Sequence, residues 1–252
     1  LGFKARLSHD LSPGHSDIWR TSRPAFRYEE TPEDVARHEL TMRTFMLAGL
    51  SFGTTPWHGG HISPADVGIR VHEAVREREA FFSRRPLRHV GVVLSQNTHD
   101  FYGHIPGIDN LSRYRDTILG TWLMLTENHV PFRFVFDNQL ETGALDGFRV
   151  LYLPNAACLS AGAKQQIEAF VARGGTVLVS GETGAYDEWG EPRQTHVLDG
   201  VSGLVRLKGI PALDWLRTRA DDAERAVIEA LGPASWPIRV QAPRSLAVNP
   251  GW

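Results

Sequence analysis

The chain has 252 residues, 42% of them hydrophobic and 22% charged, and a formal net charge of -2, so it can bury a core and carries no basic excess for a nucleic-acid partner. No apolar run reaches the roughly 20 residues that span a bilayer, and no membrane partner is expected. The single cysteine, Cys158, excludes an internal disulfide and suits a reducing compartment, which points to the cytoplasm.

In chain order, the first pattern is a short strand candidate, PAFRYE, ending at Glu29. Thr31-Pro32-Glu33-Asp34 then reads as a helix start, with Thr at the N-cap, Pro at the first helical position and acidic residues in the first turn. Leu40, Phe45, Met46 and Leu47 form the apolar side of that helix, and Gly49 is expected to end it. LSFGTTPW, from Leu50 to Trp57, reads as a second strand. A Gly-Gly loop and a charged helix over residues 66–85 follow, with Val67, Val71, Val75, Phe81 and Phe82 expected to point inward.

HVGVVLS, from His89 to Ser95, is the next strand, and LMLTENHVPFRFV, from Leu123 to Val135, is a helix exit leading into another. The most informative stretch runs from Val150 to Arg193. Val150 to Leu153 is β-rich and stops at Pro154-Asn155, a helix from Ala161 closes at Gly174-Gly175, and Thr176 to Ser180 is a second apolar strand. That is one βαβ turn of an open parallel sheet, whose carboxyl edge would carry Asn155, Cys158, Glu182 and Asp187. His99, Asp100, Tyr102, His104, Asp137-Asn138, Tyr186 and Trp189 would share that edge. LRTRADDAERAVIEALG, residues 216–232, reads as one amphipathic helix with a solvated charged face. Both ends look cut: the chain starts at Leu1 and stops at NPGW after the strand-like SLAVN.

The order "LPN, about a dozen residues, FVARGG, TVLVSGETG, then D-x-x-G-x-x-R", together with HVGVVLS and the Val130-Pro131 exit, resembles the flavodoxin-like trimerisation domain of family 42 β-galactosidases and related hypothetical glycoside hydrolases. The resemblance covers residues 88–204. It implies an α/β chain: residues 1–85 the C-terminal part of a (β/α)8 barrel, 86–237 a flavodoxin-like doubly wound parallel sheet, and 238–252 the start of a C-terminal β-domain. Strand, helix, strand, helix before residue 86 fits the end of such a barrel, and Ala48-Gly49 stands where the family carries Ala-Gly before its eighth strand. The implied function is a glycoside hydrolase fragment acting on carbohydrate as part of a homo-oligomer, a trimer. The alternative is a non-catalytic carbohydrate-binding or assembly module.

Retaining glycosidases use two carboxyl groups about 5 Å apart at barrel strand ends. The resemblance puts Glu29 or Glu30 at the nucleophile position. A solvated pair leading into a helix is the bland reading of the same residues. The family's Phe-x-x-Arg is replaced here by Thr54-Thr55-Pro56-Trp57. Trp57, His58 and His61 suit a subsite wall, the indole stacking on a sugar face and an imidazole donating to a hydroxyl; Asp100 and Tyr102 are further substrate-binding candidates. His58 and His61 lack a third ligand of suitable spacing, so neither a metal nor another cofactor is expected. A similar sheet occurs in class I glutamine amidotransferases, whose nucleophile sits in a G-x-C-x-G elbow. Here the corresponding SGETG places Glu182 at its centre, and Cys158 reads as a small buried hydrophobe.

Overall fold

The structure is a computed structural model that describes residues 2–12, 17–21, 31–59, 65–81, 87–104 and 109–232. It divides into two compact units, Leu1–Pro86 and Leu87–Trp252. The expected start of a further β-domain at 238–252 and the PAFRYE strand candidate lie outside the described residues.

In the first unit, α1 (Gly2–Leu11) precedes β1 (Asp17–Thr21), α2 (Pro32–Ser51), β2 (Thr55–Gly59) and α3 (Ala65–Arg76). The strands pair in parallel, Asp17 opposite Thr55 and Thr21 opposite Gly59, so β1, α2 and β2 form a crossover unit. The start of α2 follows the sequence expectation: Thr31 Oγ1 accepts the Asp34 N–H at 3.2 Å, and the Asp34 carboxylate accepts the Thr31 N–H in return. Such a capping box contributes about 1 kcal/mol.

Four expectations need correction, the first being Leu40, expected on the apolar side of α2 but 64% exposed. Gly49 does not end α2, which continues to Ser51; the chain reverses at Gly53, whose φ of 82° supplies the left-handed turn. Leu50 and Ser51 are therefore helical and the strand begins only at Thr55. Phe81 does not point inward but is 83% exposed in a short 3-10 turn after α3, because the helical repeat that buries Val67 and Val71 stops at Arg76. Phe45, Met42, Met46, Val67, Val71 and Ala5 form the core, and Glu39 of α2 takes a two-pronged bond from Arg70 of α3 at 2.8 and 2.9 Å.

The second unit holds a five-stranded parallel sheet of β3 (Val90–Leu94), β4 (Phe132–Phe136), β5 (Val150–Pro154), β6 (Thr176–Ser180) and β7 (Leu204–Arg206), in the order β4-β3-β5-β6-β7. The helices between and after them are α4 (Gln96–Asp100), α5 (Asn110–Glu127), α6 (Asp137–Glu141), α7 (Ala161–Ala172), α8 (Pro211–Thr218) and α9 (Asp221–Ala230). The βαβ turn from Val150 to Ser180 stands as the sequence implies, with Ser160 capping α7 and Gly174 at φ 87° after it.

Strands buried on both faces read as continuous apolar runs, and β3, β5 and β6 do so. On one face Val93, Leu151, Leu153, Val177 and Val179 meet Leu140 of α6 and Ile167 and Phe170 of α7. Tyr152 points the opposite way, toward Thr121 of α5, and α8 lies against α5. The stretch 216–232 is not one helix. It breaks at Arg219 (φ 56°), whose guanidinium sits 4.0 Å from the Trp215 ring centroid and bonds Glu127 at 2.9 and 3.1 Å.

Candidate functional site

Chain order reverses at β3, which has β4 on one side and β5 on the other, so the carboxyl ends of β3 and β5 flank the crevice where open α/β sheets take their ligands. Here that crevice is filled by the chain itself. Ser95 follows β3 and caps α4 by accepting the Thr98 N–H at 3.0 Å, while its own N–H donates to the buried Tyr114 hydroxyl at 2.7 Å. Thr98 Oγ1 in turn accepts the Cys158 N–H at 3.0 Å, tying the loop after β3 to the loop after β5. Tyr102, Ala157 and Cys158 form a fully buried cluster, with Tyr186 against it.

Cys158 has no exposure, and burial pushes its thiol up to about 11, opposite to what a nucleophile requires. A thiol reagent at neutral pH is therefore expected to label Cys158 at the rate of protein opening and to label it at once in denaturant. Fast labelling of the folded chain would contradict the closed crevice.

The next strand end carries the more polar arrangement. Asn155 follows β5 in a left-handed conformation, φ 55°, and its Oδ1 accepts the Glu182 N–H at 2.9 Å. Gly181 is required between β6 and Glu182: a Cβ there would stand 2.3 Å from Asn155 Oδ1, and its φ is 61°. The Glu182 carboxylate accepts the Tyr102 hydroxyl and lies 3.8 Å from Arg113 Nη1 of α5. Burial first, and the Glu182 carboxylate second, hold the Tyr102 phenol above its ordinary range, so Tyr102 stays a neutral donor at physiological pH. Asp137, after β4, is raised by burial although it accepts the Asn97 N–H at 3.0 Å.

Of the residues singled out in the sequence, Glu29, Glu30 and His61 lie outside the described residues. Trp57 and His58 stand on β2, opposite Trp19 and Arg20 of β1. Asp100 and Tyr102 are close in sequence but differ in role: exposed Asp100 accepts from Gln96 at 2.7 and 2.8 Å and faces His99 Nδ1 at 2.7 Å, whereas Tyr102 turns inward to Glu182. Gln96, then His99, lower the Asp100 carboxyl. Arg113 and Thr98 escaped the sequence reading, since an arginine and a threonine inside helices carry no local signal of partners found 69 and 60 residues away. Among the described residues no three His, Cys, Asp or Glu side chains gather as a metal ion requires. No helix among them is long and apolar enough to cross a membrane.

The chain matches no protein-family profile and no curated protein. Its fold is shared with solved structures. An exo-carrageenase GH42 from Bacteroides ovatus matches over 87% of this chain and 31% of its own, at 14% identity and a TM-score of 0.55. Gan42B, a GH42 β-galactosidase from G. stearothermophilus, matches over 77% of this chain and 31% of its own, at 15% identity and a TM-score of 0.57. A β-galactosidase from Bacillus circulans sp. alkalophilus matches over 78% and 33%, at 14% identity and a TM-score of 0.52. The chain thus spans about a third of the length of these structures, and identities this low establish likeness of fold.

Proposed function

We propose that the chain is part of a glycoside hydrolase related to the GH42 β-galactosidases, hydrolysing O-glycosidic bonds in a carbohydrate substrate in the cytoplasm. In this reading the first unit is the end of a (β/α)8 barrel, and the second is a flavodoxin-like domain that supplies packing and trimerisation rather than chemistry. The observation that carries the second half is the filled crevice: a doubly wound sheet normally works at its switch point, and here Thr98, Cys158 and Tyr102 occupy it. The likeness of fold to GH42 enzymes supports the first half. Glu29 or Glu30 takes the nucleophile position, with Trp57, His58 and His61 as the sugar-facing wall; in the second unit exposed Asp100 remains a candidate, whereas Tyr102 is buried against Cys158.

A second reading, a carbohydrate-binding or assembly module without catalysis, is favoured by Glu182: it stands where amidotransferases carry their cysteine, and Tyr102 already occupies its carboxylate. The test is turnover of 4-nitrophenyl β-galactoside and of glutamine by the full chain. Neither is expected above background: the resemblance gives this chain one carboxylate of the pair that galactoside hydrolysis requires, and Cys158 is buried with its thiol raised. Galactoside turnover lost on Glu29→Gln or Glu30→Gln would force a catalytic pair within this chain, and thiol-dependent ammonia release would install the amidotransferase chemistry.

A further inference from the structure

The amino end of the sheet, away from the crevice, encloses a histidine. His89 is 2% exposed and stands immediately before β3, the strand that joins β4 to β5. The His89 carbonyl oxygen accepts the Arg149 and Val150 N–H groups at 2.9 and 3.2 Å, which fastens the start of β5. The next residue, Val90, donates its N–H to the Pro131 carbonyl oxygen at 3.1 Å, which fastens the start of β4. Whatever disturbs His89 therefore acts on both neighbours of the strand.

The charged residues that share its face are arginines. Side chains alternate along a strand, so His89 lies on the same face as Gly91. Arg133 of β4 pairs with Gly91 on that face, and Arg149 stands there two residues before Leu151, which also pairs with Gly91. Arg88, the residue before it, donates to the Asp146 carbonyl oxygen at 3.2 Å. The helix over this face, α7, turns Ala163, Ile167 and Phe170 to the sheet and leaves Glu168 and Arg173 exposed; Asp146, in the turn before β5, is exposed as well.

A neutral imidazole donates from one nitrogen, whereas an imidazolium donates from both. His89 Nε2 is enclosed and has no acceptor, so the charged ring would leave a buried donor unpaired beside cationic neighbours. Burial first, and the Arg149 guanidinium second, hold the imidazole below its ordinary range.

We infer that His89 is an acid-sensitive latch: protonation of its ring frees the amino ends of β4 and β5 from β3 and loosens the second unit. A ring that the fold keeps neutral contributes its stability in full above the ordinary histidine value of about 6.5 and loses that contribution as pH falls below it. The latch is independent of the proposed hydrolase reading.

Urea unfolding of the full chain and of His89→Gln, repeated from neutral to mildly acidic pH, tests it. Hydrogen exchange of the Arg149 and Val150 amides and an NMR titration of the His89 ring in the wild-type chain accompany the unfolding series. Below about pH 6.5 the wild-type unfolding constant should rise by up to about tenfold per pH unit more than that of His89→Gln, because unfolding takes up one further proton. The two amides should lose protection over the same range in the wild type and not in the variant, and the ring should titrate below its ordinary value. The latch is overturned if both proteins lose stability in parallel, if the two amides keep their protection, or if the ring titrates at or above about 6.5. Should His89→Gln not fold, the ring titration and the amides of the wild-type chain decide by themselves.

Discussion

Truncation of Leu151 to alanine is expected to lower the stability of the second unit by about 3–5 kcal/mol, the upper part of the range for a buried leucine. Leu151 is fully buried in β5, opposite Gly91 of β3 on one side and Val177 of β6 on the other. Gly91 is small because Leu151 is large: a Cβ on Gly91 would come within 2.8 Å of Leu151 Cδ2 and 2.9 Å of Val135 Cγ2. With the isobutyl group removed, the glycine next to it has no side chain with which to close the cavity. Gly91→Ala alone should therefore destabilise, and in the Leu151→Ala background it should cost markedly less. Urea unfolding of the four proteins of this cycle reads the coupling, and additive losses would mean that the two positions do not share a space.

The second large effect has a sign that separates packing from propensity. Gly120 lies in the middle of α5, where alanine is the better helix former by about 1 kcal/mol. A Cβ at this position would stand 2.2 Å from the Ala212 carbonyl oxygen, a backbone atom of the first turn of α8. No rotamer relieves such a contact, so α8 must move away from α5, disturbing buried Trp215 and the Arg219–Glu127 bond at its end. Gly120→Ala is expected to lose about 1–3 kcal/mol net. A variant that gains stability in urea unfolding would show that the two helices do not approach so closely.

The parts of the fold that the sequence made legible are those whose signals are local. Val150 to Ser180 combined two apolar runs and a glycine pair after the helix, and each found its place. The start of α2 was visible for the same reason, since Thr31 and Asp34 bond each other across three residues. What was missed depends on distant partners. β1 is five residues, DIWRT, with charges at two of them, and only its pairing with β2 makes it a strand. β7 is three residues with Val205 partly exposed, and among the described residues it pairs with β6 alone. The break at Arg219 carries neither glycine nor proline; Trp215 and Glu127 hold it. At the sheet edge, Asn155, Cys158, Glu182 and Tyr102 were visible as types at strand ends. That Cys158 plugs the crevice and that Tyr102 and Arg113 converge on Glu182 follows only from the packing of residues far apart in the chain.

The central proposal is that the second unit, with its switch-point crevice closed, serves assembly. Light scattering behind size-exclusion chromatography of the full chain, across a range of concentrations, tests it most directly. The account predicts a particle of three times the 28.1 kDa chain mass, and a single species of 28.1 kDa at every concentration would contradict it.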